Sequence, residues 1–344
     1  MAIERGPPVG ASIKDVALRA GVSVKTVSNV INDFQFVSDA TRAKVRAALE
    51  ELDYRPNLSA RLLRGGRTGV VALAVPEISS PYFAELAAQF VQQAKGHGWT
   101  VLVDETQGAK DSEHVVLEGI KSHLIDGLIV SPLALTAKEI DQRRDHTPLV
   151  LLGERLAHAP VDHVSIDNVA GATTATAHLI ALGRRRIAAI GSQPHISGGT
   201  AALRLRGYRA ALRTAKIRYD ASIVIPAKSY HRADGYAAMH ALLDLPAPPD
   251  AVFCFNDLLA IGALRALHER GRQVPSEVAV IGFDGIEEGE FHTPTLSTIR
   301  PDKAEIARLA LALLERRITD GPAASPREGF ASFELLARQS TARS

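Results

Sequence analysis

Ser12-Ile13-Lys14-Asp15-Val16-Ala17-Leu18-Arg19-Ala20-Gly21-Val22-Ser23-Val24-Lys25-Thr26-Val27-Ser28-Asn29-Val30-Ile31-Asn32 is the stretch on which the fold turns. Ile13, Val16, Ala17 and Ala20 fall at helical spacing and predict one apolar face. Gly21 can take the left-handed backbone that stops a helix. Ser23 is placed to cap a second helix, which turns Val27, Val30 and Ile31 inward. Two helices joined by a short glycine-containing turn make the unit that reads DNA. The second helix would then present Lys25, Ser28, Asn29 and Asn32, donors and acceptors suited to base edges and phosphates. A plain three-helix interaction module is the alternative. A third helix is predicted from Ser38, with Val45, Ala48, Leu49 and Leu52 on one face. Its capping box is incomplete, because Thr41 stands where Glu or Gln would reach back.

Downstream, Asn57 can cap a short helix from Leu58 to Arg64, and Gly65-Gly66 can end it. So short a helix needs a partner to order it. It carries Arg61 and Arg64 beside Leu62 and Leu63, and apolar wedges flanked by arginines are what minor-groove binders insert between base steps. The bland alternative is a basic linker with its leucines packed on the body. Charge agrees with a nucleic-acid role: residues 1–67 hold 11 Lys/Arg against 7 Asp/Glu, while the remainder holds 29 against 31. A basic head on a mildly acidic body meets a polyanion, or else is a solvated charged surface.

The run Ile13-Lys14-Asp15-Val16-Ala17, Ala20-Gly21-Val22-Ser23, Thr26-Val27-Ser28, Asn32, Val37-Ser38, Tyr54, Pro56-Asn57 and Leu63 resembles the lactose-repressor (LacI/GalR) family of bacterial transcription regulators. The resemblance implies that Val24, Lys25 and Asn29 read operator bases, within a DNA-contacting set that also takes in Ser23, Thr26, Ser28, Asn32, Asn57 and Arg61. It implies that Leu63 is the leucine inserted in the minor groove. Many members carry arginine where this chain has Asn29.

Beyond residue 67, Val/Ile-rich runs alternate with helical patterns. Strands are predicted at 70–75, 100–103, 127–130, 149–152, 187–190, 222–225, 251–255 and 278–281, with helices such as 82–95, 168–182, 201–215, 232–243 and 257–270 between them. Alternation of this kind means α/β architecture, with parallel sheets covered on both faces. So many strands suggest two doubly wound halves, and the resemblance implies two subdomains like those of periplasmic binding proteins. The expected domains are a helix-turn-helix head at 1–57, a hinge helix at 58–66 and a core at 67–344. Within the core, one subdomain would comprise 67–169 and 302–328, the other 170–301 and 329–344.

Ligands in open parallel sheets bind beyond the carboxyl ends of the strands. Those ends offer Tyr82-Phe83, Ser131, Gly153-Glu154, Ser192, Asn256-Asp257 and Phe283-Asp284. Carboxylates and amides pair with vicinal hydroxyls, and aromatic rings supply flat apolar walls. The resemblance adds Arg204 as the effector-binding arginine, places Asn256, Asp257 and Asp284 among further ligand positions, and makes Tyr230 an aromatic wall. Arg204 and Asp284 are expected on opposite sides of one cleft. Ile166-Asp167-Asn168 also fits the family pattern, but Asp167 reads first as a helix cap.

The composition excludes much else. With 46% hydrophobic and 23% charged residues in 344, the chain is globular. One cysteine forms no internal disulfide and suggests a reducing compartment. No apolar run approaches a membrane span, and the first residues lack the apolar core of a signal peptide, so a soluble cytoplasmic protein is expected. Dinucleotide, P-loop, nucleophile-elbow and zinc-protease motifs are missing, so neither enzyme, cofactor nor metal is expected. Cys254 reads as a buried inert thiol. Glu334-Leu335-Leu336-Ala337-Arg338-Gln339-Ser340 shows no sustained heptad, so a homodimer is expected rather than a tetramer. The reading is a repressor that binds a pseudo-palindromic operator under control of a sugar-like effector. Its rival is a cytoplasmic sugar-binding or sugar-metabolising protein with an unrelated helical head.

Overall fold

A computed structural model describes residues 11–31, 34, 36–54, 67–119, 124–154, 156, 159–194, 199–321 and 325–342. Asn32, Asn57, Arg61, Leu63 and the expected hinge helix lie outside them. Two compact units are present, Met1–Thr68 and Gly69–Ser344.

The head is three helices, α1 (Ile13–Ala20), α2 (Val24–Ile31) and α3 (Asp39–Glu51). A capping box opens α1: Ser12 Oγ accepts from Asp15 N at 3.4 Å, and Asp15 Oδ2 accepts from Ser12 N at 2.7 Å. Gly21, at φ 65°, ends the helix in the left-handed region. Ser23 Oγ then accepts from Thr26 N at 3.1 Å, as its cap role requires. At α3 the Thr41 hydroxyl pairs with that of Ser38 at 2.9 Å instead of completing a box. Val16, Ala17, Val27, Val30, Val45 and Ala48 form the buried core. An Arg19–Glu51 pair at 2.6 Å ties α1 to α3 across the surface.

The body holds two six-stranded sheets. The first contains β1 (Val70–Val75), β2 (Thr100–Glu105), β3 (Gly127–Val130), β4 (Leu149–Leu152), β5 (Asp162–Ile166) and β11 (Glu328–Ala331), in the order β11-β5-β4-β3-β1-β2. All of its pairings are parallel. The second contains β6 (Ile187–Ser192), β7 (Val224–Pro226), β8 (Ala251–Cys254), β9 (Ala279–Phe283), β10 (Ser297–Pro301) and β12 (Phe333–Leu336), in the order β12-β10-β9-β8-β6-β7. Only the β10–β12 pairing there is antiparallel. Inner strands such as β1, β3 and β8 are buried throughout, as parallel sheets covered on both faces demand.

Around the first sheet lie α4 (Pro81–Ala94), α5 (Lys110–Leu117), α6 (Ala137–Asp141) and α12 (Lys303–Asp320), with α12 packed on α4, β3, β4, β5 and β11. Around the second lie α7 (Asn168–Ala181), α8 (Thr200–Thr214), α9 (Arg232–Leu243), α10 (Asp257–Glu269) and α11 (Glu288–Phe291). The chain passes between the lobes three times, at Asp167, at Asp302 and at Ser332. A buried carboxylate anchors α12: Asp162 accepts from Arg316 Nη2 at 2.7 Å, Arg317 Nε at 2.8 Å and Arg327 N at 2.7 Å.

Four strands escaped the sequence reading. In β5 the buried residues include Asp162, His163 and Ser165, and in β10 Ser297 and Thr298, so polar side chains hide an interior strand. The edges β11 and β12 are partly exposed and lack an apolar run. The strand expected at 222–225 begins only at Val224, because Asp220 caps a single turn through Ser222 N at 3.0 Å.

Helices α9 and α10 approach closely at two glycines. A Cβ on Gly235 would lie 2.0 Å from Leu259 O, and one on Gly262 2.0 Å from Arg232 O. Both obstacles are backbone and cannot swing aside. Gly235→Ala is therefore expected to destabilise the body by at least about 1–3 kcal/mol in urea denaturation. A midpoint unchanged from wild type would mean that the two helices are not so tightly packed.

Candidate functional site

In the head, α2 buries Val27 and Val30 in the core, with Ser23 and Lys25 exposed and Val24, Thr26, Ser28 and Asn29 half-buried. Lys25 is the most open of the polar residues expected to meet bases, whereas Ser28 and Asn29 are partly tucked against the bundle. The loop beyond α2 exposes Phe36 (80%), and Arg42 Nη2 holds the Phe34 carbonyl at 3.1 Å.

In the body, groups from both lobes come together beyond the strand ends. Arg204, on the inner face of α8, is 6% exposed. Its Nε donates to Asn168 Oδ1 at 2.8 Å and its Nη1 to the Phe255 carbonyl. Its Nη2 lies 3.6 Å from Asp284 Oδ1, and the guanidinium sits 3.6 Å above the Phe283 ring. Asp284 occupies the left-handed side of backbone space at φ 118°, a strained conformation for a residue with a Cβ. Burial pushes its carboxyl up to about 6, against the pull of Arg204 and Lys303. Arg204 and Asp284 thus come from the same lobe and pair with each other. The expectation of opposite cleft walls is corrected, because α8 and the end of β9 flank one sheet.

The first lobe contributes Tyr82, Phe83 and Glu154. Tyr82 and Phe83 meet edge-on, with ring centroids 5.2 Å apart. Burial raises the Tyr82 hydroxyl pKa; Asp284 and Glu154 raise it further and Arg204 opposes them, so all four lie within electrostatic reach. Tyr230 is raised by burial too and feels Arg204 and Asp284. Glu154 links the lobes, accepting from Ile166 N at 3.4 Å and Thr200 Oγ1 at 3.3 Å. This cluster brings together a guanidinium, two carboxylates and two tyrosine rings, with the Lys303 ammonium beside Asp284 and Tyr82, a set that can clamp a polyhydroxylated ring.

Three expected residues stand apart. Asn256 caps α10 through Leu259 N at 2.9 Å and donates to Tyr230 O at 3.0 Å, which fixes the tyrosine's turn. Asp257 is fully buried and points into its own lobe, accepting from Thr298 Oγ1 at 2.7 Å and Ile286 N at 3.0 Å. Ser131 is half-buried at the end of β3, held there by its N–H to Ala74 O at 2.9 Å. The sequence reading missed Asn168 as Arg204's partner. Its signal was available: Asp167 caps α7 through Ala170 N at 2.8 Å, which leaves the next polar residue without a capping task. Asn168 Nδ2 is buried with no partner.

Asp257 also makes a pH prediction. Burial lifts its carboxyl from 3.8 to about 8, so the folded body takes up a proton there that the unfolded chain lacks. Stability from this group is present at low pH and lost as pH rises through that window, with a slope approaching about 1.4 kcal/mol per pH unit. Asp257→Asn is expected to remove that slope in denaturation titrations between pH 5 and 8. An unchanged slope would place the proton elsewhere.

No helix among the described residues is long and apolar enough to cross a membrane. No group of three or more His, Cys, Asp or Glu among them is arranged to hold a metal.

Comparison with known proteins gives two family matches. Residues 12–57 match bacterial regulatory proteins of the lacI family, and residues 176–341 match a periplasmic binding protein-like domain. The ribose operon repressor of Escherichia coli (strain K12) is 35% identical over 311 residues, covering 90% of this chain and 93% of that protein. Among solved structures, the CelR–cellobiose complex is 31% identical with a TM-score of 0.70, covering 96% of this chain and 99% of its own. The Lac repressor dimer bound to operator and the anti-inducer ONPF is 25% identical with a TM-score of 0.81, covering 97% of this chain and 100% of its own.

Proposed function

The chain belongs to the lacI family of bacterial regulatory proteins, and on that premise we propose how its residues carry a ligand-controlled, DNA-binding repressor's work. The effector is a sugar or sugar derivative held between the lobes; the related regulator CelR forms a complex with cellobiose. The observation that carries this is the clustering of Tyr82, Glu154, Arg204, Tyr230 and Asp284 where the two lobes meet. Phe83 backs the Tyr82 wall, and Asn256 and Asp257 support the second lobe's side by fixing the turns around Tyr230 and Ile286.

The head reads operator DNA through Ser23, Val24, Lys25, Thr26, Ser28, Asn29 and Asn32, with Arg61 and Leu63 acting in a hinge at 58–66 that Asn57 precedes. Two copies place two heads on a pseudo-palindromic site; the related Lac repressor is bound to operator as a dimer. Effector-driven movement of the lobes changes the spacing of the hinges, which form or melt on DNA and are the two-state element biased by ligand. The protein then works in the cytoplasm, where its DNA is.

Thermal-shift screening with D-ribose, cellobiose and other sugars tests the effector, because a ligand at about a hundred times its Kd adds roughly 2.7 kcal/mol. A shift by one sugar that Asp284→Asn abolishes is expected. Sugars that leave the transition unmoved, beside a nucleoside that raises it, would reassign the ligand class. Leu63→Ala is expected to lower operator affinity in a titration at fixed salt while sparing the thermal shift, since the wedge holds an opened minor groove. Equal affinity would make 58–66 a plain linker.

A further inference from the structure

Glu85 and Lys303 form a two-sided clamp between the lobes. Both stand on helices of the first lobe: Glu85 one turn beyond Tyr82 on α4, and Lys303 at the start of α12. Lys303 Nζ donates to the carbonyls of Asp284 at 2.8 Å and Gly285 at 2.9 Å. Glu85 Oε1 accepts the Glu287 N–H at 2.9 Å, and Glu85 Oε2 pairs with Lys303 Nζ at 3.0 Å. The first lobe therefore holds two carbonyls and one amide of the second lobe's 284–287 loop.

Every donor of the ammonium is used, and the carboxylate divides its oxygens between the lysine and the loop. Lys303 is 9% exposed, so a neutral side chain there would strand two carbonyls. Its Nζ also lies 5.5 Å from the centroid of the Tyr82 ring. The held loop begins at the residue with strained backbone, Asp284 at φ 118°, whose carboxylate faces Arg204. Glu85, Gly285, Glu287 and Lys303 line a groove of about 590 Å³, so water can replace these bonds when they part.

We infer that Lys303 and Glu85 are positioning residues: they lock the 284–287 loop to the first lobe and so aim Asp284 when the lobes are closed. Asp284's contact with effector rests on the function proposed above, but the locking of the lobes does not.

The test needs neither effector nor operator. Lys138→Cys on α6 and Thr214→Cys on α8 are exposed positions for nitroxide labels, while Cys254 is buried. Pulsed dipolar spectroscopy on the full chain, diluted with unlabelled protein, reads the distance within one protomer. The starting chain is expected to give one dominant distance. Glu85→Ala and Lys303→Met should each move at least half of the population to a second distance, and the double variant should go no further. Glu85→Ala places a strong helix former on a solvent-facing helix, so it reports even where Lys303→Met does not fold. Distances identical to the starting chain in Glu85→Ala, or additive displacement in a folded double variant, would overturn the clamp. Silence in a sugar screen would leave it standing.

Discussion

Arg204→Ala is expected to give a protein that binds operator and no longer answers to effector. The guanidinium meets Asn168, the Phe255 carbonyl, the Asp284 carboxylate and the Phe283 ring, so its removal strips Asp284 of its paired cation and leaves only Lys303 to offset the buried carboxylate. Effector affinity should fall tenfold or more, and breaking a buried pair from one side costs roughly 3–5 kcal/mol of body stability. The sign of the pH dependence follows from Asp284. Its carboxyl already titrates at about 6 with the arginine beside it, and losing that cation moves it higher. At low pH the stranded carboxyl is neutral, so the stability loss should be smaller at pH 5 than at pH 8. Denaturation at the two pH values checks the sign, and calorimetry with the sugar that wild type binds checks the affinity. Wild-type affinity would remove Arg204 from the site.

Deleting residues 1–66 should have the opposite consequence. The body from Gly69 onward has its own buried core and both sheets, and the head has a separate one, so the shortened chain should fold and keep its thermal shift. Operator affinity should disappear. In the full chain, binding should weaken steeply with salt, because lysines and arginines displace counterions from phosphates. A shortened chain that holds operator with wild-type affinity would move the DNA interface into the body.

How much of this the sequence discloses follows from where polar groups are put. The head was legible because its signals are local: Gly21, Ser23 and Ser38 do what their positions announce. The inner strands β1, β3, β4 and β8 were legible as apolar runs. Strands β5 and β10 were not, because their buried Asp162, His163, Ser297 and Thr298 are made tolerable by partners more than forty residues away or across the sheet. The site divides in the same way. Tyr82 and Asp284 were indicated by the strand ends, Arg204 and Tyr230 by the family resemblance, and the four come together. Asp257 looked like a ligand group and turned inward, since Thr298 and Ile286 reach it from a distant strand and loop. Glu85 and Lys303 are ordinary charged residues until the loop after β9 is seen between them.

The central claim is that ligand in the body controls sequence-specific DNA binding by the head. Selection from a random duplex pool by the full chain, followed by anisotropy on the selected duplex with and without the sugar that shifts its melting, tests it most directly. The account requires one two-fold-symmetric sequence to be enriched, and its affinity to change at least several-fold when that sugar is added. A pool with no enriched sequence, or a selected duplex held equally tightly by free and sugar-bound protein, would contradict it.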